Sequence, residues 1–281
     1  MIDGHVHFWR LSRRVNTALS PDMTAIYRDV EPGELLPILQ ESGLRAAIAV
    51  QASETLGENL YMAGLARQHA WIAGVVGWVD PGSPSIGEEL AALCVLGGIV
   101  GVRPVRDDNL TIRWMVEPVL QTGWSKIAAS GLAIDILVQD WNELDIVRAM
   151  IEAYPDARFV LDHCGKPDIP GGHFDAWAAH IERIARQRNA FCKFSGLAAG
   201  VDPETVKPFA DQVIRCFGPD RLIWCSDWPP LDLVSSYGGW VDLTRVLTQG
   251  LTDEGRAAIW YRTAERVYGV SLPRDAGEPP A

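Results

Sequence analysis

The chain has 281 residues, 48% of them apolar and 22% charged, with a net charge of −11 and a mean hydropathy of +0.03. That length can bury one large core, and α/β barrels run to about 250 residues or more as a single unit. No apolar run reaches the roughly 18 residues of a membrane span, and the acidic balance contains no basic block, so nucleic acid and anionic membrane are excluded as partners.

The five cysteines, Cys94, Cys164, Cys192, Cys216 and Cys225, are odd in number and lie mostly in apolar runs. They read as buried thiols of a reducing cytoplasm, not as a disulfide framework or a CxxC metal site. Ile2 already belongs to the first strand, so no signal peptide is expected ahead of it.

In chain order, the first strand is Met1-Ile-Asp-Gly-His-Val-His-Phe8, and a polar stretch from Arg10 to Val30 reads as a long functional loop. A helix follows from Glu31 to Ser42, with Pro32 near its start and Gly43 just past its end. Then comes the strand Ala46–Gln51. The alternation repeats as helix Leu60–His69 and strand Ile72–Val79, helix Ile86–Leu96 and strand Ile99–Pro104, helix Trp114–Ser130 and strand Leu132–Val138. It continues as helix Glu143–Ala153 and strand Arg158–Asp162, helix Phe174–Gln187 and strand Ala190–Phe194, helix Pro203–Cys216 and strand Leu222–Ser226. A closing helix runs from about Asp253 to Tyr268. Apolar strands alternating with amphipathic helices indicate a parallel sheet, and a count of eight strands selects a single-domain (β/α)8 TIM barrel over residues 1–270. No Gly-rich dinucleotide fingerprint supports an open sheet. Residues 271–281, rich in Pro and charge, read as a loosely docked tail.

A barrel of this kind builds its site at the C-terminal ends of its strands, so polar residues that close apolar strands are the candidates. They are His5 and His7 on strand one, Arg103 on strand four, His163 on strand six, Ser195 on strand seven and Asp227 on strand eight. His5 and His7 stand two apart and point the same way along a strand. Such a pair can bind a divalent metal, hold an anionic group or shuttle a proton. Each candidate also has an ordinary structural reading: Asp227 as the cap of a turn, Arg103 paired with an acidic loop residue, His163 as a satisfied core histidine. Ser195 reads as a turn residue before Gly196, since no GxSxG elbow surrounds it. Trp9 and Trp228 flank the two sharpest motifs and are candidate pocket walls.

His5-Val-His-Phe-Trp9, Val50-Gln-Ala-Ser-Glu-Thr55, Leu161-Asp-His-Cys-Gly-Lys-Pro167, Lys193-Phe-Ser-Gly-Leu197 and Ser226-Asp-Trp-Pro229 together resemble the amidohydrolase superfamily. Within it they are most similar to the branch of sugar-lactone hydrolases and pyrone-dicarboxylate lactonase, over about residues 2–270. The resemblance implies hydrolysis of a small cyclic ester such as an aldonolactone, with Asp227 as general base for the attacking water. His163, Arg103 and one of His5 or His7 would then polarise the carbonyl, and His5, His7, Trp9, Gln51, Arg103, Ser195 and Trp228 would contact substrate. Strand four offers Arg103 and strand five Asp135 instead of further metal-ligating residues, which argues against a binuclear site. One Zn²⁺ or Mn²⁺ on His5, His7 and Asp227 stays open, as does a metal-independent site, for which the branch has precedent. Thr263, where relatives commonly carry Asn, is expected to touch helix packing. The alternatives are a metal-dependent decarboxylase of aromatic acids and a non-catalytic binding barrel. The expected partner is a small molecule in the cytoplasm, with a homo-oligomer left open.

Overall fold

A computed structural model describes residues 1–13, 19–106, 111–198 and 202–272. Eight parallel strands follow one another round the sheet in sequence order: β1 (Ile2–Val6), β2 (Ala46–Val50), β3 (Ile72–Gly77), β4 (Ile99–Val102), β5 (Ala133–Ile136), β6 (Phe159–Leu161), β7 (Ala190–Phe194) and β8 (Leu222–Trp224). The helices between them are α1 (Pro32–Glu41), α2 (Leu56–Gln68), α3 (Ile86–Leu96), α4 (Gln121–Ala129), α5 (Leu144–Ala153), α6 (Phe174–Ala185) and α7 (Pro203–Phe217). After β8 come α8 (Tyr237–Leu247), α9 (Asp253–Ala257), a π turn (Ala258–Arg262) and α10 (Thr263–Tyr268). The ring closes beyond β8, where His7 N–H donates to the Trp228 carbonyl at 2.8 Å and Asp227 N–H to the His5 carbonyl at 3.0 Å. This is the expected barrel, and no helix among the described residues is long and apolar enough to cross a membrane.

Alternate residues along each strand divide two cores. Ala47 and Ala49 of β2 pack outward with Leu35, Leu39 and Met62 of the helices. Ala46, Ile48 and Val50 face inward with Val76, Val160 and Ile223, and Val267 and Tyr268 of α10 complete that inner cluster. On β1 the parity changes midway: Ile2 belongs to the inner cluster and Val6 to the outer one. The pairing with β2 slips between Asp3 and Val6, and this irregularity turns His5 and His7 into the barrel. Asp3 is left beside the β8 extension, where it accepts from the backbone N–H of His5 (3.1 Å) and Ser226 (2.9 Å) and from the Tyr237 hydroxyl (2.9 Å). Gly4 is required here, because a Cβ would stand 2.5 Å from Cγ2 of Ile223.

Several predicted boundaries are corrected. The helix expected over Trp114–Ser130 is two 3₁₀ turns, Arg113–Val116 and Pro118–Leu120, followed by α4, because Pro118 lacks an N–H and holds Glu117 extended at φ −65°, ψ 130°. After β8, where no helix is expected before the closing one, α8 begins at Tyr237, and its Gly238 and Gly239 hide its period. Helix α2 starts at Leu56 instead of the expected Leu60, capped by Thr55. The long Arg10–Val30 loop is pinned at its ends by the Trp9–Val30 bridge, with residues 14–18 outside the described residues. Of the tail, Leu272 N–H donates to Glu265 at 3.2 Å, and residues 273–281 lie outside the described residues. Thr263 is buried in the closing helix with its hydroxyl 3.4 Å from the Pro219 carbonyl, a packing position as expected.

Glu58, in the first turn of α2, reaches back under the loop after β2 and accepts from Ala52 N–H at 3.1 Å. Burial raises its pKa to about 7, against the opposing pull of that N–H and of Arg13. The folded value lies above the unfolded one, so the fold favours the protonated acid. Stability is therefore lost as pH rises from about 4.5 to about 7. Glu58→Gln keeps the carbonyl acceptor and removes the titration. Chemical denaturation is expected to show the variant gaining about 1–3 kcal/mol on the wild type between pH 5 and pH 8, and an equal difference at both pH values would disprove the assignment.

Candidate active site

The strand ends converge on a cavity of about 280 Å³ at the C-terminal mouth of the barrel. Its polar floor is His7, Gln51, Arg103, His163, Lys166 and Asp227. Trp9, Leu19, Met23, Ile26, Leu137 and Leu233 supply an apolar wall.

Asp227 is the centre of the floor. Its backbone is left-handed at φ 62°, a conformation that costs a non-glycine residue about 1 kcal/mol and persists where neighbours hold it. Here the hold is the hydrogen bond from its N–H to His5 and that from Leu231 N–H to its carbonyl, 2.9 Å. The carboxylate then lies 3.6 Å from Nε2 of His5, 3.5 Å from Nε2 of His7 and 3.7 Å from Nε2 of His163. These separations exceed a direct hydrogen bond and leave the carboxylate oxygens open to a small third party such as water. Burial opposes the charge on Asp227, but His163, His7 and His5 together hold its carboxyl well below the usual carboxylate range.

Ring tautomers follow from donors that have no alternative. Lys193 Nζ, which can only donate, sits 2.9 Å from Nδ1 of His5, while the equally donor-only Arg103 guanidinium lies farther from Nε2, at 3.4 Å, so the shorter contact assigns Nδ1 as the acceptor and the ring proton to Nε2. His5 Nε2 faces Nε2 of His7 at 3.0 Å, and Nδ1 of His7 faces the Val50 carbonyl at 2.9 Å. One consistent polarity runs from ammonium through His5 and His7 to a carbonyl. His163 is oriented by Ser195, whose hydroxyl is 2.9 Å from Nδ1. With Asp227 on the other side, the ring proton is favoured on Nε2, facing the cavity. Burial lowers the pKa of both His5 and His163. Lys193 adds to this at His5, and Asp227 and Asp162 oppose it at His163, so both rings are neutral.

Beneath the floor lies a group of buried charges that strand-end reasoning missed. Lys193 contacts Asp135 Oδ2 at 2.5 Å and Asp162 Oδ1 at 2.9 Å as well as His5. Asp162 Oδ2 receives Arg103 at 3.1 Å, and the guanidinium also donates to the Gln51 carbonyl at 2.9 Å. The Tyr268 hydroxyl from α10 closes the group on Asp135 at 2.9 Å. Burial works against Asp162, yet Lys193, His5 and Arg103 hold it well below the usual range. Burial likewise works against the Lys193 ammonium, which its two carboxylates raise overall.

The structure brings His7, Trp9, Gln51, Arg103, His163 and Asp227 to the cavity as anticipated. It corrects three expected substrate contacts. Trp228 is 1% exposed and packs its ring on Phe8, at 6.1 Å between centroids, because the left-handed Asp227 turns the chain back toward the outer layer. Ser195 is fully buried and touches His163. His5 is fully buried behind His7 and Asp227 and does not line the cavity. Arg103 does pair with an acid, but with Asp162 of the barrel instead of a loop residue.

His5, His7 and Asp227 lie close enough to share a metal ion. The hydrogen-bonding polarity does not fit one, since the lysine on Nδ1 of His5 leaves an N–H where a ligand needs a lone pair. In metal-ligating histidines the other ring nitrogen donates to an acceptor, the reverse of what Lys193 imposes.

The amidohydrolase family model matches residues 2–270. An L-fucono-1,5-lactonase from Burkholderia ambifaria is 34% identical, over 97% of this chain and 96% of its own. Another from Burkholderia multivorans is 31% identical over 98% of both chains. A Burkholderia multivorans amidohydrolase, solved with bound zinc, superposes with a TM-score of 0.87 at 28% identity, over 96% of this chain and 99% of that one. With the match spanning every strand from β1 to the closing helix, the chain belongs to the amidohydrolase family.

Proposed function

We propose that the protein hydrolyses a sugar lactone, with L-fucono-1,5-lactone and its 6-deoxy relatives as the substrate class. The observation that carries this is the Asp227 carboxylate, ionised and open between three imidazole nitrogens on the floor of a cavity sized for one small molecule. The lactonase relatives of the preceding section support the substrate class, and the wall of Leu19, Met23, Ile26 and Leu233 gives a deoxy sugar's methyl group an apolar seat.

A water beside Asp227 gives its proton to the carboxylate as its oxygen attacks the lactone carbonyl. The carbonyl oxygen takes up the negative charge and is met by the Nε2–H of His163 and the Arg103 guanidinium, both fixed in place before substrate arrives. Ser195 orients His163, and Asp162 orients Arg103. The tetrahedral intermediate collapses with cleavage of the ring C–O bond. Asp227 then returns its proton to the leaving oxygen, so that water is consumed and a hydroxy acid is released. No step needs a metal ion, in keeping with the polarity Lys193 imposes on His5. No feature of the site favours a decarboxylase or a non-catalytic barrel.

The test is acid release from a panel of aldonolactones, before and after dialysis against a strong chelator with metal content measured. Turnover of a 6-deoxy lactone that survives metal removal is expected. Inactivity on every lactone would reject the function, and loss on chelation restored by zinc would reject the metal-free chemistry.

A further inference from the structure

The segment after β6 is left-handed for four residues in succession, with φ 51° at His163, 52° at Cys164, 68° at Gly165 and 49° at Lys166. Three of the four are not glycine, and L-residues visit this region as single residues, not in runs. Such strain survives only where the surroundings over-determine it. Trp177 donates to the Cys164 carbonyl at 2.9 Å, the Cys164 thiol reaches the Lys193 carbonyl at 3.4 Å, and Lys166 N–H closes on the His163 carbonyl at 2.9 Å. Gly196 at the end of β7 presses on the same turn, where a Cβ would lie 2.8 Å from Cβ of His163.

The consequence of the turn is what it presents. In one helical turn, residues three apart share a side, and His163 and Lys166 both line the cavity while Cys164 is buried in the core. The assigned chemistry uses His163 and leaves Lys166 without a task. Among the described residues no carboxylate lies within the 4.0 Å of an ion pair to its ammonium. Lys193 below the floor and Arg103 on it are matched by Asp135 and Asp162. The cavity keeps one unmatched charge of each sign, Asp227 and Lys166. A neutral ligand rich in acceptor oxygens satisfies that balance, whereas a second carboxylate would leave it net negative. Burial lowers the Lys166 pKa, with Asp227 acting the other way, so a bound acceptor relieves an incompletely solvated cation.

We infer that Lys166 is the specificity-determining residue of the site, its ammonium donating to the ring hydroxyls of the lactone and so selecting polyhydroxylated lactones over unsubstituted ones. This rests on the lactonase reading above. Steady-state kinetics of Lys166→Met on a hydroxylated aldono-1,4-lactone are expected to show KM raised about tenfold or more with kcat within about threefold, the effect of losing hydrogen bonds to a charged donor. The preference for that lactone over γ-valerolactone should shrink by a similar factor. Lys166→Arg, which keeps the charge and guards against a folding defect in the first variant, should recover part of the affinity. A fall in kcat at unchanged KM would place Lys166 on the reacting atoms instead, and parameters within twofold of wild type would remove it from substrate altogether; either overturns the inference. A wild type inactive on all lactones would instead reject the underlying function.

Discussion

Asp227→Asn should reduce kcat by about a thousandfold or more while leaving the protein folded, the largest loss available from a single isosteric change at this site. Asparagine fills the same space beside His5, His7 and His163 but cannot take a proton from water. The wild-type carboxyl sits well below its ordinary range, with burial opposing the charge and His163, His7 and His5 prevailing over it. Its folded value is thus below its unfolded value, so it contributes stability above the ordinary carboxylate range and loses it as pH falls toward the folded value. Two readings follow. The kcat/KM profile of the wild type should show no acid limb from Asp227 between pH 5 and 8. The variant should lose some stability at neutral pH, modestly because the side chain is 25% exposed. Single-turnover rates within tenfold of wild type would show that the water is activated elsewhere.

How much of this was legible depended on whether a residue announced itself against its background. A polar residue at the end of an apolar strand is conspicuous, and so His7, Arg103, His163 and Asp227 are readable in the sequence. Lys193 lies within Ala190-Phe-Cys-Lys-Phe194 and Asp135 within Ala133-Ile-Asp-Ile136, where each looks like an isolated blemish in a strand. Read together they carried a signal: opposite charges in the middle of buried strands of one barrel must meet, since neither is tolerable alone. Trp228 was misplaced because sequence proximity to Asp227 says nothing about the reversal that its left-handed backbone imposes. The left-handed turn from His163 to Lys166 has only one glycine to mark it. Its cause is distant in sequence, in Trp177, Lys193 and Gly196, and no local preference reports it.

The second large effect is expected from Lys193→Met, and it falls on stability before chemistry. Lys193 is fully buried and is the contact shared by Asp135, Asp162 and His5. Among the described residues, removing it leaves Asp135 with the Tyr268 hydroxyl alone and leaves Asp162 to Arg103 and His5, so uncompensated charge remains inside the barrel. Breaking a buried pair from one side costs about 3–5 kcal/mol, a large part of the stability of a natural domain. The loss should depend on pH in a definite direction. Even with Lys193 present, burial raises Asp135 to about 6, against the pull of the lysine. Without the lysine the folded value rises further above the unfolded one, so the penalty is full at neutral pH and shrinks as acid protonates the carboxyl. Denaturant midpoints at pH 5 and pH 8 should therefore draw closer to wild type at the lower pH. Adding Asp135→Asn to Lys193→Met should restore part of the loss at pH 8. In that double variant Nδ1 of His5 is no longer held by an ammonium, and the ring is free to take the other tautomer. Zinc binding at His5, His7 and Asp227 should then be tighter than in the wild type, and equal zinc affinity in the two proteins would show that Lys193 does not set the polarity of the histidine pair.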